Sequence, residues 1–213
     1  MYIFDTVIIN KEVNEKLLLL LMASKVSEIE LEKRVRSIES CTISKIWYQQ
    51  IEEGTENCRV KDFHSVDVAI YFETENNKIF KIYWADELGI YHGFGVSIKE
   101  IAVIDKDDGI FMDVSSDNNW KAMLGKRIIS TQIHWQNIID NMRSGLVPVL
   151  GMGYLRRRDY PQTLEINFES GLQLFISVLK ITDNNKCIPF TNHLSIFFQK
   201  DIIDQYYKPL RKW

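Results

Sequence analysis

The chain lacks the signatures of most enzyme classes. It holds three cysteines, Cys41, Cys58 and Cys187, with no C-x-x-C spacing and no histidine at metal-ligand spacing. That pattern predicts free thiols in a reducing compartment and no disulfide framework. The four histidines, His64, His92, His134 and His193, form neither H-x-x-x-H nor H-E-x-x-H, so no zinc-hydrolase ligand set is visible. There is no G-x-S-x-G elbow for an esterase. Gly151-Met-Gly153 is too short for a phosphate loop or a dinucleotide fingerprint. The turn from Asp105 to Gly109 fails as a calcium loop, because its glycine is fifth and Ser116 stands where the bidentate glutamate belongs. No cofactor and no metal are expected. The apolar run Leu17 to Met22 is far short of the roughly 20 residues that span a bilayer. The start, Met1-Tyr-Ile-Phe-Asp5, has no basic n-region and so does not read as a signal peptide. The expectation is a cytoplasmic bacterial protein with no membrane partner.

A strong excess of either charge is also missing. Lys and Arg number 26 against 29 Asp and Glu, a net charge of -3. A chain built around nucleic acid carries a clear basic excess, so this balance argues against such a partner.

What the chain does have is a repeat. Ile43-Ser-Lys-Ile-Trp-Tyr-Gln-Gln-Ile51 aligns with Ser130-Thr-Gln-Ile-His-Trp-Gln-Asn-Ile138, and Val66 to Glu73 aligns with Gln162 to Glu169. The identical pairs are Ile46/Ile133, Gln49/Gln136, Ile51/Ile138, Ile70/Ile166, Phe72/Phe168 and Glu73/Glu169. A duplicated β unit explains an architecture without any catalytic motif.

Around that repeat the periodicity predicts the elements. Residues 2–9 read as a short strand, and Asn10 caps a helix to about residue 36. That helix carries Val13, Leu17, Leu20, Leu21 and Leu31 at helical spacing, with Glu30–Arg34 and Glu32–Arg36 as i,i+4 pairs. From residue 40 the period becomes two. Val66, Val68, Ile70 and Phe72 alternate with Asp67 and Glu73, and a turn at Asn76-Asn77 leads into a return strand. Ser116 to Asn119 reads as a cap, and Trp120 to Leu124 as a short helix ended by Gly125. Leu164 to Glu169, Ser170-Gly171 and Leu172 to Val178 read as a β-hairpin. A strand through Leu194, Ile196 and Phe198 precedes a terminal helix near Asp201 to Tyr207. The predicted fold is α+β: antiparallel sheet from two related β units, with an N-terminal helix and short helices closing each unit. The segments are 1–38, 39–120 for the first unit and 121–213 for the second.

Function has most freedom where the units differ. The link between the aligned blocks is longer in the second unit and holds Gly145, Pro148, Gly151, Gly153 and Arg156-Arg-Arg-Asp159. It reads as a loop over 139–159. Arg156, Arg157, Arg158, Asp159 and Tyr160 are candidate partner contacts, since three guanidiniums suit carboxylates or phosphates. The same run flanked by Tyr154 and Tyr160 is the best nucleic-acid argument in the chain. Glu52, Glu53 and Glu56 in the corresponding first-unit loop oppose it, and are themselves candidate contacts for a basic partner. Glu73 and Glu169 are the candidate acid/base pair, although strand-end positions explain both. His64 and His193 each precede a predicted strand and read as edge or turn residues, all four histidines read as structural, and a Cys–His pair made by folding stays open.

Leu124-Gly-Lys-Arg-Ile128, Ile133-His-Trp135 and Tyr160-Pro-Gln-Thr-Leu-Glu-Ile-Asn-Phe-Glu-Ser-Gly171 carry a resemblance. They resemble a module of small bacterial proteins, some of them assigned as immunity proteins of toxin systems. The likeness covers residues 120 to 200, with an echo at 40 to 85. Its motifs mark a strand and a hairpin, so no functional residue carries over. The resemblance implies a protein that binds another protein, such as a toxin, and does no chemistry. The alternative reading is a hydrolase-type enzyme with a site between the two β units. Oligomeric state is not readable.

Overall fold

The computed structural model describes residues 28–51, 59–60, 63–85, 95–141, 155–182 and 186–210. Its secondary structure is mixed α+β, with mostly antiparallel strands in two sheets. The predicted strand at 2–9 lies outside the described residues, as does the first part of the predicted helix.

Helix α1 covers 28–36. Leu31, Val35 and Ile38 keep the helical stripe and enter the main core. Arg34 pairs with Glu30 one turn earlier, at 3.3 Å. Just beyond the helix, Glu39 Oε1 accepts from the Thr131 amide at 2.9 Å and its hydroxyl at 2.8 Å, which ties this end to the second half of the chain.

The first sheet orders its strands β6-β5-β4-β1-β7. These are β1 (Ile43–Gln50), β4 (Ala69–Thr74), β5 (Ile79–Ala85), β6 (Gly95–Ile101) and β7 (Ile110–Asp113). The second sheet is β2-β3-β11-β10-β9-β8. It comprises β2 (Arg59–Val60), β3 (Phe63–Val66), β8 (Ile128–Asn141), β9 (Leu155–Phe168), β10 (Gln173–Ile181) and β11 (Cys187–Phe197). Each sheet therefore contains a four-stranded meander with the same neighbour order, β1-β4-β5-β6 and β8-β9-β10-β11. The hairpin turns correspond as well. Asn77 and Gly171 take left-handed φ of 59° and 80°, and their amides bond back to Thr74 and Phe168. Asparagine and glycine tolerate that region best. The sequence match sets Phe72 against Phe168, two residues off this turn equivalence. An even slip keeps each buried face buried.

The chain changes sheets at one corner. The alternation through Val66, Val68 and Ile70 predicts one strand, but residues 67–68 bend and divide it into β3 and β4. β3 joins the second sheet beside β11, while β4 joins the first beside β1 and β5. Val66 faces the main core, and Val68 packs on the outer face of the first sheet.

One apolar core unites both sheets. Ile46, Ile70, Phe72, Phe80 and Ile82 of the first share a cluster with Ile166, Phe168, Leu174, Ile176 and Ile196 of the second. Helix α2 (Asn118–Lys121), capped by Asp117, places Trp120 at its heart with 0% exposure. The indole Nε1–H donates to the Tyr48 hydroxyl at 2.7 Å, and that hydroxyl is hydrogen-bonded to His64 Nδ1 at 2.8 Å. His64 Nε2 then faces the Asp117 carboxylate at 3.9 Å. The outer face of the second sheet is closed by helix α3 (Lys200–Leu210), whose Ile203 and Tyr206 cover Phe63, Phe175 and Phe197.

Candidate functional site: a seam in the second sheet and an open face on the first

The second sheet carries a line of polar residues directly opposite one another. Ser65, Ser195, Ser177, Thr163 and His134 are successive cross-strand partners on β3, β11, β10, β9 and β8. Ser195 and Ser177 are fully buried and Thr163 nearly so. A buried hydroxyl must find an acceptor. Thr163 donates to Ser177 at 2.8 Å, Ser177 to the Gln162 carbonyl at 3.2 Å, and Ser195 to the Leu179 carbonyl at 2.9 Å.

Beyond this line the sheet splits. β9 pairs with β10 only as far as Thr163, and then continues with β8 alone to Leu155. β10 and β11 break register between Val178 and Leu179, so 190–193 form a bulge, and Gln162 bulges from β9 at the same level. Bulges re-aim side chains and recur beside functional sites. Both contain a buried polar atom without a hydrogen-bond partner, Gln162 Oε1 and Thr191 Oγ1.

The bulge also re-aims His193. Its Nε2 is hydrogen-bonded to Ser65 Oγ, and its Nδ1 lies 3.3 Å from Asp67 Oδ1. In the tautomer that turns Nδ1–H toward the carboxylate, Nε2 is the acceptor for the serine hydroxyl. The sheet-changing corner holds the aspartate in place. Its amide donates to Gln50 Oε1 at 2.8 Å, and its carbonyl accepts from Trp84 Nε1 at 2.7 Å. Gln50 Nε2 also donates to the Ser65 carbonyl at 3.3 Å, clamping strand and corner together. His193 and Asp67 side chains are 11% and 25% exposed, and Ser65 is half-buried.

Burial pushes the His193 pKa below its ordinary 6.5; Asp67 works against that fall and Lys180 with it. The folded protein therefore takes up this proton at lower pH than the unfolded chain. Well above pH 6.5 neither state binds it, and the group adds no pH dependence. As pH falls from there toward the folded pKa, the unfolded chain holds more protons and stability is lost. Urea denaturation at pH 7 and pH 5 is expected to show this loss, and His193→Gln to reduce it. An unchanged slope in the variant would remove His193 from the account.

Two other histidines are structural. His64 is an interior strand residue, correcting its reading as an edge or turn position, and is 3% exposed. His134 Nε2 bonds Glu165 Oε2 at 2.6 Å on the outer face. His92 lies outside the described residues. The Cys41 thiol is pushed up by burial, and Cys187 by the same cause to about 11, so neither is a poised thiolate. Cys58 is outside the described residues.

Glu73 and Glu169 do not pair. Glu73 Oε1 accepts from Trp47 Nε1 at 2.6 Å, while Glu169 meets Arg127 at 3.4 Å on the other sheet. Among the described residues no group of three or more His, Cys, Asp and Glu is placed to hold a metal ion. No helix among them is long and apolar enough to cross a membrane.

The run Arg156, Arg157, Arg158 and Asp159 is not loop. Its backbone lies in β9, opposite Asp140, Ile139, Ile138 and Asn137 of β8. Glycine, proline and charge suggested a loop over 139–159, yet β8 runs to Asn141 and β9 begins at Leu155. Pairing with β8 satisfies the backbone ladder of this segment on one side, which composition alone does not reveal. Tyr160 is buried, 5% exposed. Glu52, Glu53 and Glu56 lie outside the described residues.

The outer face of the first sheet is a different surface. Trp47, Tyr71, Lys81 and Lys99 stand in one cross-strand row on β1, β4, β5 and β6. Tyr83 and Phe111 flank it. The link from β6 to β7 crosses part of this face, with Ile104 buried in it and Lys106 Nζ 3.9 Å from the Trp47 ring. Tyr71 donates to Gln49 Oε1 at 2.6 Å. Burial, then Asp108 and Asp105, push its pKa to about 12, so it stays a neutral donor. Lys81 and Lys99 are direct partners, with Nζ atoms 5.7 and 5.2 Å from the Tyr83 ring. Burial and then the Lys99 charge lower the Lys81 pKa.

Compared with known proteins, the chain matches no family model, no curated protein and no solved structure.

Proposed function

We propose that this protein acts by binding another protein, as an immunity protein that neutralises a bacterial toxin in the cytoplasm, and that the outer face of the first sheet is its contact surface. The observation that carries this is the juxtaposition of Lys81 and Lys99 on a half-exposed aromatic face. Among the described residues no helix lies over it, whereas α3 covers the outer face of the second sheet. Like charges directly opposite on a sheet oppose each other, so an acidic segment of a partner relieves that repulsion on docking. Half-buried Trp47 and Tyr83 supply the aromatic anchors that dominate interface energies. The toxin-neutralising form rests on the resemblance over residues 120 to 200.

The test is co-purification with the product of the neighbouring gene, followed by calorimetric titration. Wild type is expected to give a stoichiometric complex. Lys81→Glu with Lys99→Glu is expected to weaken it about tenfold to a hundredfold, largely through slower association. No complex with that product would sink the immunity reading. A complex indifferent to the charge reversal would sink this face as the contact.

A further inference from the structure

The seam of the second sheet holds chemistry that binding on the first sheet does not use. Three side chains from two distant parts of the chain meet there. Ser65 and Asp67 come from β3 and the corner after it, and His193 from the bulge in β11. Their order is hydroxyl, imidazole, carboxylate, with the imidazole bridging through both nitrogens. That arrangement is the one in which a serine becomes a nucleophile.

The comparison with His64 in the same strand is instructive. His64 also stands between a hydroxyl and a carboxylate, Tyr48 and Asp117, but it is sealed in the core with Trp120. No substrate reaches it. Ser65 projects from the opposite face of β3 and is half-buried. Burial lowers the pKa of His193, so at neutral pH the imidazole is an unprotonated base. The Thr191 hydroxyl, in the same bulge as His193, is buried and without a partner. It is a spare hydrogen-bonding group of the kind a bound substrate satisfies.

We propose that Ser65 is a nucleophile, activated by His193 as general base and with Asp67 as the positioning residue, and that its substrates are carboxylic esters. Ser65 Oγ bonds to the carbonyl carbon as its proton passes to His193 Nε2. Collapse of the tetrahedral adduct breaks the bond to the leaving alkoxide, which takes that proton and departs as an alcohol. Water then attacks the acyl-serine and gives a proton to Nε2. Ser65 leaves and recovers that proton. Ester and water become acid and alcohol. The seam thus joins residues of both β units in one reaction, independently of the face proposed for partner binding.

The probe is a fluorophosphonate, which forms a phosphorus–oxygen bond to an activated serine and expels fluoride. The native full-length chain is expected to acquire one adduct, mapped by peptide mass spectrometry to Ser65 and absent from the same chain unfolded in urea. Ser65→Ala removes it, and His193→Gln slows it at least about 100-fold. Hydrolysis of p-nitrophenyl acetate is expected to fall in parallel. Asp67→Asn slows labelling and moves the midpoint of its pH profile downward, because the Asp67 charge raises the His193 pKa against burial and Lys180. A merely structural aspartate would leave that midpoint in place. No adduct on native Ser65 overturns the proposal, as does labelling that persists in urea or is indifferent to His193→Gln. Should a variant melt early, the native and urea-unfolded wild type still decide the matter.

Discussion

Trp120→Ala is expected to lower unfolding free energy by about 3–5 kcal/mol, the range for truncating a large buried aromatic. In a chain of this size that lowers the melting temperature by about 10 °C. The indole is fully buried and its ring packs on Phe198 at 4.9 Å, Phe72 at 5.9 Å and Tyr48 at 6.2 Å. Phe72 and Tyr48 belong to the first sheet, and Phe198 directly follows the last strand of the second. Its removal leaves a void between them. Trp120→Phe separates packing from hydrogen bonding, since the ring volume largely stays while the donor to Tyr48 goes. It is expected to cost about 1–3 kcal/mol. Denaturant titration reads both. A Trp120→Ala penalty below about 1 kcal/mol would mean that this helix lies on the core without holding it.

Gly95→Ala is the second large effect, expected to cost about 1–3 kcal/mol through overpacking. A Cβ at this position would stand 2.5 Å from Pro161 Cγ and 2.8 Å from Cδ. Gly95 opens β6 of the first sheet and Pro161 lies in β9 of the second, so the clash is between sheets. A proline ring has no rotamer to turn away. Pro161→Ala removes both clashing atoms, and the double variant is expected to recover at least about 1 kcal/mol relative to the sum of the single changes. Strict additivity would show that the strain lies elsewhere, for example against the Pro161 carbonyl at 3.3 Å.

Both effects sit in parts of the fold that the sequence describes unevenly. The hairpin of β9 and β10 is plain, because Leu164, Ile166 and Phe168 alternate up to a glycine turn and Leu174, Ile176 and Val178 alternate away from it. The α2 cap is readable from Asp117 and its neighbours, although the helix starts two residues before the predicted Trp120. The corner at 67–68 is hidden because Val66, Val68 and Ile70 keep an apolar period of two straight through it. Val66 is buried and Val68 partly buried, each against a different layer, and the apolar period does not say which. The strand at Arg156 to Arg158 is hidden for the opposite reason. Its composition signals a loop, and only long-range pairing with β8 makes it a strand.

The candidate site is almost illegible. Ser65, Asp67 and His193 form no local motif, and none of the spacings that identify a serine nucleophile is present. What brings them together is a corner and a bulge, neither of which leaves a mark in the period of the chain. The open face of the first sheet was within reach, since Trp47, Tyr71, Lys81 and Tyr83 all lie at outward positions of alternating strands. Without the register nothing shows that Lys81 meets Lys99.

The pairing of β3 with β11 also sets the order in which this protein is completed. As the chain emerges from a ribosome, every strand of the first sheet is available once Asp113 has been made. The short β3, read out before most of them, has to wait for β11, near the far end of the sequence. Until then its edge is an unsatisfied template for any passing strand. Closing so long a loop is slow. The protein therefore passes through its synthesis with one sheet finished and one sheet gaping, and a ribosome stalled before residue 187 leaves a product primed to aggregate.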